Sequence, residues 1–321
     1  MKAIVRTQYG SPDVLQFTEV AKPTPKSGEV LIKIHAASVN PLDWRLMRGK
    51  PFLLRIGALR TPKHKILGVD IAGRVEALGS NARKFQPGDE VFGGGKNLGG
   101  LAEYVCTLED SLALKPVNLS FEHAAALPMA AVSALQGLRD KGHIQAGHKV
   151  LVDGASGGVG TFALQIAKSF GAEVTSVCST KNVDQARSLG ADHVIDYTRE
   201  NFTKSGRRYD LILAANAYHS IFEYNRALSQ DGICVFVGGD LAKVFQAMLL
   251  GPLLSRIGRK KLCFIGANIN EKDLVFLTDL WEAGKVAPVI DRRYPLSAVA
   301  EAIRYLEEGH AQGKVVITVE H

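Results

Sequence analysis

The stretch from Val150 to Lys168, VLVDGASGGVGTFALQIAK, constrains the fold of this chain more than any other. Val150, Leu151 and Val152 lead into a glycine-dense turn, after which apolar side chains recur at Phe162, Leu164, Ile166 and Ala167. That pattern predicts strand, turn and helix in succession. Glycines at 154, 157, 158 and 160 let backbone pass close to a ligand and reach φ values closed to other residues. The first turn of the helix adds unpaired N–H groups and the positive end of its dipole, a place suited to a pyrophosphate.

The spelling departs from G-x-G-x-x-G by one methyl group, because registering Gly157 and Gly160 on the last two glycines puts Ala155 at the first. Context compensates. Gly171 closes the helix, Glu173 to Cys178 (EVTSVC) reads as a second strand, and the whole unit takes about 30 residues, as a dinucleotide-binding crossover does.

A length of 321 residues allows two domains, and 46% hydrophobic with 22% charged residues excludes a disordered chain. Cys106, Cys178, Cys234 and Cys263 form no close pair and read as free thiols in a reducing compartment. The opening MKAIVRTQYG lacks a signal-peptide core, and the most apolar run, Met248 to Leu254, is interrupted by Gly251 and Pro252 and is too short to span a bilayer. A cytoplasmic protein with no membrane partner is expected. The net charge of +7 raises the question of nucleic acid: Arg45 to Lys65 holds seven Lys or Arg and no acid, and RIGRKK (Arg256 to Lys261) adds four. Neither region interleaves aromatics in a stacking pattern, so both read as solvated basic loops, not as a nucleic-acid site.

Taken in order, the first third is β-rich. Glu29 to Val39 alternates as a half-buried strand, Leu42 to Arg48 is a short helix, and Ile66 to Gly79 and Pro87 to Gly93 carry further strands, together a small barrel-like module. From Phe121 the texture turns helical, with one helix expected over Ala124 to Leu138 across Pro128. Strands and helices then alternate through Lys261 to Ala267, which argues for a parallel sheet covered on both faces. One of these helices is expected near Leu241 to Leu250. Two amphipathic helices and a closing strand, Lys314 to Val319, end the chain. The expected division is 1–122, completed by 268–321, and 123–267. The apolar run Leu241 to Leu254 with the strand that follows suggests a homodimer.

The opening MKAIVRTQYGSPDVL, AASVNPLDWR, ILGVDIAGRVEALG, PGDEVFG, and GASGGVG with VIDY downstream together resemble the medium-chain dehydrogenase/reductase superfamily, in its zinc-free quinone oxidoreductase and alkenal/enone reductase branch. The resemblance covers essentially the whole chain. It implies an α/β fold, with a GroES-like catalytic domain from both chain ends and a central Rossmann domain with a doubly wound parallel sheet, the active site lying in the cleft between them. Zinc-dependent members carry a cysteine where this chain has Asn40 and Gly-His-Glu where it has Gly68-Val69-Asp70, so no metal site is expected. Their structural cysteine lobe is also missing from Gly93 to Leu101.

The resemblance also nominates residues. Ser156, Gly157, Gly158, Val159 and Gly160 are expected to hold the pyrophosphate. Ser179 and Lys181 follow the second strand, where an NAD-specific protein places an acid, and point to NADPH; Tyr197 matches a position beside the same phosphate. Gly238 and Gly239 would let the nicotinamide approach, and Phe264, Ile265, Gly313 and Lys314 match positions that close over the cofactor. Asn40 and Arg45 match cleft positions near the substrate, with Asp43 between them either taking part or capping the short helix. The implied activity is NADPH-dependent reduction of a small quinone or enone. A cofactor-binding accessory protein with little turnover is the alternative.

Overall fold

The computed structural model describes every residue except Gly57, Gly95, Lys96 and Asn97, and the side chains of Leu53, Leu54, Leu241 and Ile257. The middle of the Gly93 to Leu101 passage therefore lies outside the described residues. Two compact units result: residues 1–129, 269–279 and 288–321 form the first, and residues 130–268 and 280–287 the second.

The second unit is built on six parallel strands. In spatial order they are His193–Asp196, Glu173–Cys178, Lys149–Asp153, Tyr209–Ala214, Leu228–Phe236 and Lys261–Phe264. In chain order this is 3-2-1-4-5-6, the doubly wound arrangement whose direction reverses beside Lys149–Asp153. Val150, Leu151, Val152, Leu211, Ile212 and Leu213 are fully buried, as strands covered on both faces require. The helix Gly158–Ser169 buries Phe162, Ala163, Leu164, Ile166 and Ala167 against this sheet.

The first unit carries a largely antiparallel sheet, seven-stranded among the described residues. Its organiser is the strand Glu29–Val39. One edge pairs with Asp70–Leu78 along nearly its whole length. The other edge is shared, its first half pairing with Tyr104–Leu108 and its second half with Lys314–Thr318 near the other end of the chain. The core of this unit, including Val30, Ile32, Ile34, Ile71, Val75, Val315 and Ile317, lies along these pairings.

Four expectations change. Residues 124–138 are not one helix: Phe121–Ala126 ends at Leu127, and Pro128 opens a new helix, Pro128–Gln136, where its missing N–H costs nothing. The first unit runs to Met129, past the expected border at Glu122, because Phe121–Ala126 packs on the strands Glu29–Val39 and Asp70–Leu78. Residues 280–287 belong to the second unit. There the Gln165 amide donates to the Ala287 carbonyl at 2.9 Å and accepts from the Ala287 N–H at 2.8 Å.

The helix starting at Leu241 also runs on through Pro252 to Ile257. Its last turn is fastened to the edge strand, for Ser255 Oγ donates to the Gly251 carbonyl at 2.7 Å and accepts from the Leu262 N–H at 3.0 Å.

Candidate active site

Strand register assembles the polar centre of the first unit. Ser38 stands opposite Asp70, and Val315 opposite Val39, so Lys314 arrives next to Asn40 at the point where the long strand ends. All four side chains are buried. Asp70 Oδ2 accepts from Ser38 Oγ at 2.8 Å, Asn40 Nδ2 at 2.9 Å and Lys314 Nζ at 3.1 Å; Oδ1 accepts from the Met129 N–H at 2.8 Å. Lys314 also donates to Asn40 Oδ1 at 2.6 Å. The carboxamide can face only one way, since an ammonium has no acceptor and a carboxylate no donor. Asn40 is thus clamped at both ends, with one Nδ2–H left over among the described residues.

Asp43 has a structural post. It lies in the first turn of the helix Pro41–Arg48, where Oδ2 accepts from the Asn40 N–H at 2.8 Å and Oδ1 from the Gly68 N–H at 2.9 Å. Burial raises its pKa to about 6, against the pull of those two N–H donors. Arg45, half-buried on the same helix, sets its guanidinium carbon 5.2 Å from the Trp44 ring centroid. Asn40, Asp43 and Lys314 are brought together. Gly313 precedes Lys314 at φ +127°, where a Cβ would lie 2.4 Å from the Val289 carbonyl oxygen.

In the second unit the expected turn closes the strand Lys149–Asp153. Gly154 takes φ +81° and packs on Asn216, while a Cβ on Gly160 would stand 2.1 Å from the Gly154 carbonyl oxygen, so both are required by the turn itself. Gly157 differs. A Cβ there would meet nothing nearer than 3.7 Å, so the protein's own packing does not demand glycine, and what the bare backbone preserves is room for a ligand. Gly158 and Val159 open the helix, presenting first-turn N–H groups to that room, and Ser156 is half-buried just before them. A dinucleotide pyrophosphate fits this cradle. Below it, Asp153 is buried and accepts a hydrogen bond from the Tyr224 hydroxyl; burial raises its pKa to about 6.

Ser179 and Lys181 follow the second strand as expected, with Lys181 exposed. Sequence reasoning missed their neighbour. Asp196, paired with Cys178 in the parallel register, accepts from Thr180 Oγ1 at 2.5 Å and from Thr198 N and Oγ1 at 3.0 and 2.7 Å, and lies 3.5 Å from the Arg199 guanidinium. An acid therefore stands near the end of the second strand after all, supplied by the third. The VIDY motif contained it, but only strand pairing shows where it goes. With Arg187 and Arg199 it lines an open recess of about 440 Å³. Tyr197 is 62% exposed. Gly239 takes φ +120° against Ala217, and Gly238 accepts the Ala217 N–H at 2.9 Å. Phe264 is half-buried, whereas Ile265 is buried at 4% exposure and serves the core.

Comparison with known proteins agrees with this architecture. A family profile described as alcohol dehydrogenase GroES-like domain matches residues 26–117, and one described as zinc-binding dehydrogenase matches residues 189–317. The chain is 40% identical over 330 residues to the 2-methylene-furan-3-one reductase of Solanum lycopersicum, covering 99% of this chain and 79% of that protein. It is 35% identical over 330 residues, with the same coverage, to the chloroplastic NADPH-dependent alkenal/one oxidoreductase of Arabidopsis thaliana. The solved quinone oxidoreductase from Coxiella burnetii superimposes with a TM-score of 0.90 at 31% identity, covering 100% of this chain and 99% of that one.

The zinc in one profile's description finds no fitting donors among the described residues. Asn40 and Asp70 already bind the Lys314 ammonium, a cation that a dication beside it would repel, and Val69 has no ligand atom. Fold, cradle and whole-chain similarity converge: the chain belongs to the NAD(P)-dependent medium-chain dehydrogenase/reductase family, in its zinc-free quinone oxidoreductase and alkenal/enone reductase branch.

Proposed function

We propose that this protein uses NADPH to reduce conjugated carbonyls, either a small quinone or the carbon–carbon double bond of an α,β-unsaturated aldehyde or ketone. The nicotinamide, when bound, supplies the hydride. What the chain must add is orientation and a place for the negative charge that the hydride leaves on oxygen. A simple carbonyl needs a strong Lewis acid for that; a conjugated acceptor spreads the charge into an enolate or quinol anion and needs only hydrogen-bond donors.

The observation that carries this reading is the clamped Asn40. With Oδ1 held by Lys314 and one Nδ2–H held by Asp70, the second N–H is fixed in direction before any substrate arrives. Such a donor reorganises little during reaction, which is what makes it effective. Arg45 is the second candidate donor.

The test follows NADPH oxidation against a panel of quinones, enones, saturated aldehydes and alcohols. Turnover with the conjugated acceptors and very little with the saturated ones is expected. Asn40→Ala should lower kcat roughly 100-fold while leaving NADPH affinity within about twofold. Efficient oxidation of simple alcohols with no reduction of any conjugated acceptor would overturn the proposal.

Preference for the phosphorylated cofactor is supported by Ser179 and the exposed Lys181, with Arg187 and Arg199 close by. Asp196 opposes it, but its oxygens are already engaged by Thr180, Thr198 and Arg199. Among the described residues no helix is long and apolar enough to cross a membrane. The four free cysteines support a reducing compartment such as the cytoplasm.

A further inference from the structure

The basic loop carries more than charge. Between Gly49 and Lys65 the first unit makes an excursion whose base is tied shut. The Arg6 N–H donates to the Lys65 carbonyl at 2.9 Å, Arg6 Nε to the His64 carbonyl at 3.2 Å, and Arg55 to the Gly49 and Arg48 carbonyls at 3.0 and 3.1 Å. Tyr9 fastens the middle, donating to the Ala58 carbonyl at 2.8 Å and stacking under the Arg55 guanidinium at 4.6 Å. These anchors hold Arg55 and Ala58 toward the body of the unit. The side chains between and beside them stand in water: Phe52 is 65% exposed, Ile56 72% and Leu59 58%. Lys50, Arg60, Lys63 and Lys65 are exposed with them, and among the described residues no carboxylate pairs with any of the four.

Large apolar side chains held out of a fastened loop, flanked by unpaired cations and no acid, match a surface that is apolar beneath and anionic on top. We propose that this loop is a membrane-surface contact, seating Phe52, Ile56 and Leu59 at the acyl boundary of a bilayer while Lys50, Arg60, Lys63 and Lys65 meet anionic headgroups. A nucleic acid would use the cations but has nothing to offer Ile56 and Leu59. A bilayer uses both, and each Lys or Arg near an anionic surface strengthens binding by roughly fivefold at moderate salt. Contact of this kind lies along the membrane and spans nothing. It stands apart from the reduction proposed above, although apolar quinones and enones gather in the same lipid.

The full chain is sedimented with vesicles of phosphatidylcholine alone and of an equal mixture with phosphatidylglycerol, at low and high salt. Salt-sensitive binding to the mixed vesicles is expected, at least about 10-fold stronger than to the neutral ones. Phe52→Ser with Ile56→Ser and Leu59→Ser, and separately Arg60→Glu with Lys63→Glu, should each reduce it about 10-fold or more, without moving the melting temperature or the KM for a water-soluble quinone. Absence of binding to the mixed vesicles overturns the proposal, as does equal binding to both vesicle types. So does a serine variant that binds as well as the parent, or one that raises KM while vesicle binding is kept, which would make these side chains part of a substrate wall. Equally tight binding to duplex DNA, unaffected by the serine changes, would reassign the loop to polyanions.

Discussion

Lys314 is the residue on which the polar centre balances. It supplies the cation facing a carboxylate of zero exposure, and it fixes the rotamer of Asn40. Removing one partner of a buried pair leaves an uncompensated charge, at a cost of roughly 3–5 kcal/mol. Lys314→Met should therefore lower stability by about that much, and the double variant with Asp70→Asn should recover a large part of it. Denaturant melts of the four proteins measure the coupling; additive losses would show that the pair is not a unit. A second residue-scale prediction concerns Asp153. Its folded pKa of about 6 lies above the unfolded value of about 3.9, so between those pH values the folded state holds a proton that the unfolded state has lost. Stability from this group is present at the acid end and falls as pH rises through about 6, by on the order of 3 kcal/mol in full. Asp153→Asn has no such titration, so the variant should gain on the parent between about pH 4.5 and pH 7 in urea melts. A variant that instead loses ground over that range would mean that the Tyr224 hydrogen bond favours the anion more than burial opposes it.

At the scale of elements, legibility followed how much of the signal was local. The strands Glu29–Val39 and Glu173–Cys178 have the bounds that alternation and apolar runs suggest, because burial on one or both faces is written into consecutive residues. The strand Ile290–Pro295 was invisible: IDRRYP buries none of its side chains fully, lies at the rim of its sheet and, among the described residues, has Lys314–Thr318 as its one strand partner. The glycine turn could be placed from sequence, and so could Asn40 and Asp43 as neighbours. The partnership of Ser38, Asp70 and Lys314 could not, since it depends on register between segments far apart in the chain. Asp196 taught the same lesson for the cofactor end. Given its presence, the weight on Lys181 can be measured: Lys181→Ala should weaken NADPH binding roughly 10- to 100-fold and leave NADH nearly unchanged. Fluorescence titration with both cofactors decides, and equal affinity of the parent protein for the two would remove the basis for the preference.

For the whole molecule, one surface of the second unit calls for a partner. Along the helix Leu241–Ile257, Met248, Leu249 and Leu253 are 48%, 75% and 55% exposed, and the strand fastened to its end, Lys261–Phe264, is terminal in the sheet order of the described strands. An open strand edge beside apolar side chains is suited to a twofold mate. We expect a homodimer at micromolar concentration by light scattering, dissociated by Leu249→Glu with Leu253→Glu; a monomeric parent would decide against it.

The shared edge of Glu29–Val39 also sets an order of assembly during translation. While residues beyond Val289 are still inside the ribosome, half of that edge is bare, and Ser38, Asn40 and Asp70 converge without their cation. The second unit draws on nothing later than Ala287, so it is free to finish first. A chain that stopped short of Lys314 would thus keep the glycine cradle yet lack a charge-balanced centre.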